Sequence, residues 1–411
     1  MRILFVGMTE NIHFARWISQ LSGLGWDIHI FGDSGGVHPD LRNVTVYKPL
    51  PRREQRELPQ GTRIKYWWPL PRGEYLLRHR LGVLGRRLLP APAARLARLI
   101  DKLRPDCIHT IKMQPYGYQM LEAKEILGGR LPAPWIYSSW GRDTYMYRHY
   151  TEHLPLIKAT LAAVDYYIAD TYRDVAVARE LGFKGTVLGV FPGPGGFDLE
   201  MMARFRAPGP VSRRRIIAVK GYQTDDGGQV LMALEGIRRV TDLLKDYKVV
   251  IHGAIGTYAS KNYNQVRSLA DDIVMSSGVR IEFLPFVSHE RIWALFGNSR
   301  IGLAISRSDG TPVTMLEWMI MGAYPIESDT GGPAEWLEPR KNGDIVPCDD
   351  PDRIAEALRC ALQDDALVDR AAEINAQIAR ERLDIKVIRP RVIKIYEQVV
   401  NRIGVVNQSD R

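Results

Sequence analysis

The sequence predicts an α/β protein with two similar, doubly wound lobes and a helical C-terminus. Short apolar strand patterns alternate with helical patterns over residues 2–191, which is typical of a parallel sheet covered by helices. The same alternation restarts at residue 216, after a segment rich in proline, glycine and arginine. A chain of 411 residues suits two domains, because domains typically have about 100–200 residues each.

The first lobe opens with a strand–helix–strand unit. Arg2–Val6 and Asp27–Phe31 are apolar runs, and the apolar residues between them recur at helical spacing. Those residues are Phe14, Trp17, Ile18, Leu21 and Leu24. Four further strands are predicted in this lobe: Asp106–Ile111, Trp135–Ser139, Tyr166–Ala169 and Thr186–Phe191.

The second lobe follows two stretches, Phe191–Phe197 and Ala207–Arg215, that are rich in residues which interrupt helices and strands. We interpret this part of the chain as a linker. Its predicted strands are Ile216–Val219, Lys248–His252, Arg280–Phe283, Ile301–Ile305, Tyr324–Ser328 and Ile345–Val346. Helical patterns separate them, and helices alone follow from Asp352. We divide the chain into a first lobe (1–195), a linker (196–214), a second lobe (215–385) and a C-terminal helix (386–411).

Composition excludes several classes of protein. No apolar run reaches the ~18–20 residues of a membrane span, and no cleavage site follows the first strand. The three cysteines have no zinc-ligand spacing, so we expect a reducing cytoplasm. The sequence lacks the P-loop motif, and the first strand ends without GxGxxG, which disfavours a nicotinamide dinucleotide site.

Positive charge is concentrated in residues 51–104, which hold 14 basic and four acidic residues. Leucines 77, 81, 84 and 88 form an apolar stripe there, beside the aromatic run Tyr66–Trp68. An ordinary surface helix is the first interpretation. Docking on an anionic membrane surface is the second, and it is favoured over nucleic acid because a phosphate backbone would leave the stripe unused.

The segment Ser306–Gly322 is the candidate site for ligand binding and catalysis. A strand ends in a loop of small residues that opens a helix near Pro312, a favourable first helical position. The first-turn amides of a helix lack intrahelical partners and suit a diphosphate. Asp309 and Glu317 supply carboxylates for vicinal sugar hydroxyls, and Arg307 adds positive charge. The alternative is a plain capped helix with a turn aspartate and a solvated glutamate.

The stretch Asp309–Glu317 resembles the acidic–x7–Glu signature of retaining GT-B glycosyltransferases of group 1, also called family 4. The resemblance extends over nearly the whole chain in the expected order. Its further landmarks are Asn11–Trp17, Gly195–Asp198, Met321–Glu335, Asn342–Gly343 and Asp349–Asp350. The resemblance implies two Rossmann-like lobes facing a cleft, with the last helix crossing back to the N-terminal lobe.

The resemblance also implies roles for residues of the second lobe. Glu317 binds the ribose of the nucleotide, and Asp309, where the family usually has glutamate, binds the donor sugar and serves catalysis. The family's usual phosphate-binding lysine is absent from Thr224–Gly228, so Lys220 and Arg307 are expected to share the phosphates. The backbone that meets phosphates and sugar belongs to Gly310, Thr311, Pro312, Val313 and Thr314.

In the first lobe, Ser139–Asp143 resembles a His-Gly-x-Asp loop of the family, with Trp140 where histidine is common. Asp143 and His13 are therefore expected to bind the acceptor. His109, at the end of an apolar strand, is expected to act in catalysis by orienting the acceptor hydroxyl. A packed, hydrogen-bonded histidine is the alternative for both His13 and His109.

We therefore expect a metal-independent, retaining hexosyltransferase with a nucleoside-diphosphate sugar as donor substrate and no cofactor. The acceptor is a saccharide or a lipid-linked saccharide of cell-surface polysaccharide or lipopolysaccharide synthesis. The expected location is the cytoplasm, and no nucleic acid partner is expected. Peripheral contact with the inner membrane face through residues 51–104 is the second interpretation of that stretch. The alternatives are transfer to a soluble sugar phosphate, an epimerase of the same fold, and a non-catalytic nucleotide-sugar-binding protein.

Overall fold

Two parallel sheets, each in its own unit, carry the fold of the computed structural model. The structure describes residues 1–32, 35–49, 58–66, 91–225, 227–253 and 262–409. The first unit comprises Met1–Gly195 and Arg389–Arg411, and the second comprises Gly196–Ile388. The predicted α/β fold of two doubly wound lobes is confirmed.

The first unit holds an eight-stranded sheet whose strands pair in the order β4-β3-β2-β1-β5-β6-β7-β8. Every neighbouring pair is parallel. The strands are β1 (Arg2–Gly7), β2 (Asp27–Gly32), β3 (Thr45–Lys48), β4 (Arg63–Tyr66), β5 (Cys107–Ile111), β6 (Trp135–Ser138), β7 (Tyr166–Ala169) and β8 (Thr186–Val190). Strands β5 and β6 are buried at every position, as expected for the centre of a parallel sheet.

Helices cover this sheet and bury their apolar faces on it. The α-helices are α1 (Ile12–Ser19), α2 (Pro92–Leu103), α3 (Tyr118–Ile126), α4 (Arg142–Tyr145), α5 (Leu154–Ala163) and α6 (Tyr172–Glu180). Helix α1 begins after Asn11, whose side chain accepts hydrogen bonds from the amides of His13 and Phe14. In α2 the leucines Leu96 and Leu99 are buried in the core of the first unit.

The second unit holds a six-stranded parallel sheet in the order β11-β10-β9-β12-β13-β14. Its strands are β9 (Ile216–Lys220), β10 (Lys248–His252), β11 (Arg280–Leu284), β12 (Ile301–Ala304), β13 (Tyr324–Ser328) and β14 (Asp344–Val346). Its α-helices are α7 (Leu199–Ala203), α8 (Val230–Arg238), α9 (Tyr263–Ser277), α10 (His289–Gly297), α11 (Val313–Met321), α12 (Pro351–Gln363) and α13 (Asp365–Arg382). The strand order reverses direction between the neighbouring central strands β9 and β12, which is the topological switch point of the sheet. Open α/β sheets bind ligands at this point, beyond the carboxyl ends of the strands.

The last helix, α14 (Ile385–Ser409), begins in the second unit and from Arg389 onward belongs to the first. The guanidinium of Arg389 donates to the carbonyl oxygens of Gln20 and Ser22 at 2.7 and 2.9 Å. Farther along the helix, Tyr396 is fully buried in the first unit. These contacts attach the end of the chain to the loop after α1.

Residues 196–214, predicted as a linker, are part of the second unit. Met202 and Val211 are buried in its core, and Ser212 donates its hydroxyl to Asp369 at 2.7 Å. A segment rich in proline and glycine can pack into a core as well as link two domains, and this one includes helix α7. Strands β3 and β4 were not predicted, because each has only four residues and β4 is mostly exposed.

The basic stretch lies largely outside the described residues. Leucines 77, 81, 84 and 88, and most of Tyr66–Trp68, fall in the ranges 50–57 and 67–90 that the structure does not describe. Among the described helices, none combines the length and the apolar character that a membrane crossing requires.

Candidate functional site

The loop between β12 and α11 is held in place by its neighbours. The amide of Arg307 donates to the carbonyl of Gly227 at 2.9 Å, and the amide of Ser306 donates to the hydroxyl of Ser328 at 3.0 Å. Helix α11 begins at Val313, as predicted, and its N-cap Pro312 has no side-chain acceptor for the first-turn amides. The loop therefore presents a fixed helix N-terminus at the carboxyl end of β12.

Asp309 and Lys220 form an ion pair at this edge of the sheet. Lys220 ends β9, and its Nζ lies 3.4 Å from Oδ2 of Asp309, with side chains 19% and 33% exposed. Burial lowers the pKa of Lys220, but the negative charges of Asp309 and Glu327 outweigh it and raise this pKa above its ordinary value. Lys220 is therefore a charged ammonium beside the helix N-terminus.

Glu317 lies on α11 with its carboxylate buried. Its Oε1 accepts hydrogen bonds from Nε2 of His289 at 2.8 Å and from Nε1 of Trp293 at 3.1 Å. Both donors belong to α10, one turn apart. These bonds fix the position of the carboxylate. The sequence signal for this pair was their spacing of four residues, which places them on one helix face but does not name their partner.

The remaining predicted donor residues differ in exposure. Gly310, Thr311 and Pro312 are buried, whereas Val313 and Thr314 are half-buried. Arg307 is exposed, and its positive charge lowers the pKa of the Cys348 thiol, which burial and nearby carboxylates raise overall. The structure thus places Arg307 at the surface, near Cys348. Lys220, in contrast, lies beside Asp309 at the N-terminus of α11.

The loop that follows β13 packs, through Gly331, on the loop between β12 and α11. A Cβ on Gly331 would lie 3.1 Å from the carbonyl oxygen of Gly310 and 3.2 Å from that of Asp309. The amide of Gly332 donates to the same Gly310 carbonyl at 2.8 Å. The backbone around Asp309 is therefore shaped by a close approach that a side chain would disturb.

Three titratable residues, two of them buried and Lys220 half-buried, line one face of the second sheet at its carboxyl edge. His252 pairs with Lys220 across β10 and β9, and Glu327 on β13 pairs with Ala304 of β12. Because Val219 pairs with Leu303, Ala304 stands at the level of Lys220, and all four residues share a face. We name His252, Lys220 and Glu327 the buried row; the sequence analysis missed His252 and Glu327.

The charges in the buried row are unequal. Burial, followed by the charge of Lys220, lowers the pKa of His252 to about 4, so this imidazole is neutral at physiological pH. Burial raises the pKa of Glu327 well above its ordinary value, and Lys220 opposes that rise. Nε2 of His252 and Oε1 of Glu327 make no hydrogen bond with any described residue.

In the first unit, Asp143 is a packing residue. Its carboxylate accepts hydrogen bonds from the amide of Met113 at 2.8 Å, the hydroxyl of Tyr137 at 3.0 Å and the amide of Trp140 at 3.2 Å. The residue is 2% exposed, and burial raises its pKa to about 6. The carboxylate of Asp143 thus joins two loops instead of facing solvent, and its contact with an acceptor stays a prediction.

His109 is also a packing residue, which is the alternative interpretation given above. It is fully buried, with Nδ1 2.7 Å from the hydroxyl of Tyr396 and Nε2 2.8 Å from the hydroxyl of Ser138. Burial lowers its pKa to about 3. With both ring nitrogens occupied, His109 fits the packed, hydrogen-bonded interpretation, and its catalytic role stays a prediction.

His13 is half-buried in the first turn of α1, and its ring meets the ring of Trp140 edge-on at 6.2 Å between centroids. A small cavity opens beside Trp140 at the carboxyl ends of β5 to β8. Its lining is mostly apolar and aromatic, with two serine residues: Trp17, Ile111, Ser138, Ser139, Trp140, Ile168, Ala169, Phe191, Pro192 and Gly193. His13 does not line this cavity, but its ring contacts that of Trp140, which does.

Comparison with known proteins identifies the class to which this fold and site belong. Residues 215–378 match the family model described as Glycosyl transferases group 1, and residues 82–171 match the model described as Glycosyl transferase 4-like. The chain is a glycosyltransferase of the GT-B type. The group 1 model covers the part of the second unit that carries Lys220, Asp309 and Glu317. No curated protein matches the sequence.

Several solved structures share the fold at low sequence identity. The sucrose-phosphate synthase of Thermosynechococcus elongatus is 14% identical, with a TM-score of 0.70 over 98% of this chain and 100% of that one. The Anabaena protein HepE, solved in complex with UDP-glucose, is 15% identical with a TM-score of 0.65 over 98% and 100%. A UDP-forming α,α-trehalose-phosphate synthase of Burkholderia xenovorans is 15% identical with a TM-score of 0.64 over 97% and 99%.

Proposed function

We propose that this glycosyltransferase moves a sugar from a nucleoside-diphosphate sugar to a saccharide or lipid-linked acceptor, with retention of the anomeric configuration and without a metal. The observation that carries the proposal is the Lys220–Asp309 pair beside the N-terminus of α11. A cation and unpaired helix amides suit a diphosphate, and a carboxylate suits sugar hydroxyls.

The proposed roles follow the geometry of the second unit. Glu317, held by His289 and Trp293, accepts hydrogen bonds from the ribose hydroxyls. Asp309 accepts a hydrogen bond from a hydroxyl of the donor sugar, and Lys220 binds the diphosphate. Arg307, at the surface, adds long-range attraction for the phosphates. The backbone of Gly310–Thr314 lies at the phosphates, and the amides of Val313 and Thr314 face them from the start of the helix, since Pro312 has no N–H and the Gly310 amide donates to Asp309.

Bond cleavage leaves negative charge on the departing diphosphate, and Lys220 with the helix amides stabilises that charge. Asp309, the one carboxylate assigned to the donor sugar, is engaged with Lys220 and is not proposed as a nucleophile. We propose front-side attack by the acceptor hydroxyl, whose proton passes to the leaving phosphate. The proposed scheme uses no metal; among the described residues, no group of three or more His, Cys, Asp or Glu side chains stands together.

The acceptor is proposed to bind in the first unit, near His13 and the cavity beside Trp140. The aromatic lining of this cavity and its two serine hydroxyls suit a sugar ring, which has apolar faces and polar edges. A soluble sugar phosphate is the second candidate acceptor, because two of the similar structures are named as synthases of sugar phosphates.

The first experiment is thermal unfolding of the full chain with UDP, GDP, ADP, TDP and CMP. A nucleotide at 100 times its dissociation constant adds about 2.7 kcal/mol of stability. That corresponds to several degrees at roughly 2–4 °C per kcal/mol. We expect one nucleoside diphosphate to raise the melting temperature, with UDP as the first candidate because it is bound in similar structures.

The variant Glu317→Gln keeps an acceptor for His289 and Trp293 while removing the charge, and it should lose most of the nucleotide shift. Glu290→Gln is the matched control, because Glu290 is an exposed carboxylate on α10, next to His289. A chain that binds none of the nucleotides would contradict the proposed function and favour a non-catalytic protein of this fold. Binding without transfer to saccharide, lipid-linked or sugar-phosphate acceptors would support that alternative as well.

A further inference from the structure

Lys220 has more hydrogen-bonding capacity than its contacts use. An ammonium has three N–H donors, and the one hydrogen bond of this ammonium to a described residue is the long 3.4 Å contact with Asp309. The proposed function assigns Asp309 to a hydroxyl of the donor sugar. A second anionic or polar acceptor is then needed to hold Lys220 while Asp309 engages the sugar.

Glu327 is the acceptor that the sheet places within reach. It shares the face and the level of Lys220, with the small side chain of Ala304 between them on β12. Glu327 is only 2% exposed, so water does not reach its Oε1, and this oxygen has no hydrogen-bond partner among the described residues. Leaving a buried carboxyl oxygen unpaired is costly unless another state of the protein supplies a donor.

The other neighbours of Lys220 cannot take this part. His252, on the opposite side of Lys220 in the buried row, is neutral and supplies no countercharge, whereas the charge of Glu327 raises the pKa of Lys220, so Glu327 is the stronger acceptor for an ammonium. Tyr222 offers its ring face to the ammonium at 5.7 Å, which is a weak contact at this distance. Glu317 is already engaged by two donors from α10.

We propose that Glu327 is a positioning residue that accepts a hydrogen bond from Lys220 and holds its ammonium against the donor diphosphate. This inference rests on the proposed function, because it needs a phosphate at Lys220. Glu327 does not itself touch the ligand, since it is buried on the sheet beneath the loops. Its effect on the ligand passes through Lys220 alone.

The test is the dissociation constant of the full chain for UDP and for inorganic pyrophosphate, measured by isothermal titration calorimetry. Pyrophosphate carries no base and no ribose, so it reports on the phosphate subsite directly. Glu327→Met removes the acceptor at similar volume and should weaken both ligands about tenfold, the loss expected for one hydrogen bond to a charged group. Glu327→Gln keeps an acceptor oxygen and should stay within about threefold of the wild type.

Two further variants separate positioning from a general structural effect. Asp344→Asn neutralises another buried carboxyl of the same sheet, one bonded to Tyr324 and the Arg340 amide, and should leave both dissociation constants unchanged. In a Lys220→Met background, Glu327→Met should cause no further loss, because interacting residues give non-additive effects. If Glu327→Met does not fold, Glu327→Ser removes the long side chain without adding apolar volume and takes its place.

Each outcome decides between the two proposals. Wild-type binding that is lost in Glu317→Gln but unchanged in Glu327→Met would overturn the positioning role and leave the proposed function intact. A loss in Glu327→Met that persists in full without Lys220 would also overturn it. A wild-type chain that binds neither UDP, GDP nor pyrophosphate would overturn both.

Discussion

The hydroxyl of Tyr396 lies 2.7 Å from Nδ1 of His109 and accepts a hydrogen bond from Nε1 of Trp17 at 2.8 Å. Because the indole N–H of Trp17 only donates, the hydroxyl proton of Tyr396 is left to donate to His109. Nδ1 of His109 is then the acceptor, and its Nε2 carries the proton that is donated to Ser138. This chain of hydrogen bonds joins the C-terminal helix to α1 and to two central strands of the first sheet.

Tyr396→Phe should destabilise the first unit by about 1–3 kcal/mol, because it leaves Nδ1 of His109 and Nε1 of Trp17 buried without partners. Chemical denaturation followed by tryptophan fluorescence measures the loss. Tyr172→Phe is the matched control, since Tyr172 is 68% exposed, and it should leave the midpoint unchanged. Equal midpoints for Tyr396→Phe and wild type would show that the hydrogen-bond chain contributes nothing to stability.

His109 should make the first unit sensitive to acid. Its pKa is lowered by burial from 6.5 to about 3, so between these values the unfolded chain binds a proton that the folded chain does not. Stability therefore falls as the pH decreases through this window, by up to about 1.4 kcal/mol per pH unit. In His109→Gln the side chain at this position does not titrate, so the stability of the variant should depend less steeply on pH between about 6.5 and 3. Parallel curves for variant and wild type would contradict the assigned protonation.

The role of His109 shows where sequence patterns stop being informative. The apolar run at Asp106–Ile111 predicts strand β5 and the level of the histidine on it. Its partner Tyr396 is 287 residues away, on a helix whose docking depends on tertiary packing. A pattern of local spacing therefore locates such a residue but cannot distinguish a catalytic histidine from a packed one.

The second unit was more predictable because its signals are local. Helix α11 starts and ends where the sequence predicts, between Pro312 and Gly322, and the loop before it carries Asp309, which pairs with Lys220 at the end of β9. Glu327 was missed because one acidic residue does not alter the apolar strand pattern of Tyr324–Ser328. Its significance depends on the register of β9, β12 and β13, which no local pattern reveals.

The basic stretch at residues 51–104 leads to a prediction about membranes. Replacing the four arginines Arg78, Arg80, Arg86 and Arg87 with glutamine should abolish co-sedimentation with anionic liposomes, because cationic side chains attract an anionic membrane surface. The control replaces four exposed arginines of the second unit, Arg280, Arg291, Arg370 and Arg380. Unchanged sedimentation of the first variant would contradict membrane docking and favour a soluble acceptor.

Gly331→Ala should weaken nucleotide binding without unfolding the second unit. The added Cβ would stand 3.1 Å from the carbonyl oxygen of Gly310 and 3.2 Å from that of Asp309. These distances are short enough to displace the loop by a few tenths of an ångström. Such a shift moves Asp309 relative to Lys220 and the first-turn amides, and misplaced binding groups lose much of their contribution. We expect the dissociation constant for UDP to rise several-fold, on the order of 1 kcal/mol.

The measurement pairs titration calorimetry with thermal unfolding of the same samples. Ala334→Ser is the control, because it adds one heavy atom three residues farther along, at an exposed position, and should leave UDP affinity unchanged. A melting temperature close to wild type, together with weaker UDP binding, would locate the defect in the site. Wild-type affinity in Gly331→Ala would mean that the Asp309 loop tolerates the shift, and its close packing would then serve stability alone.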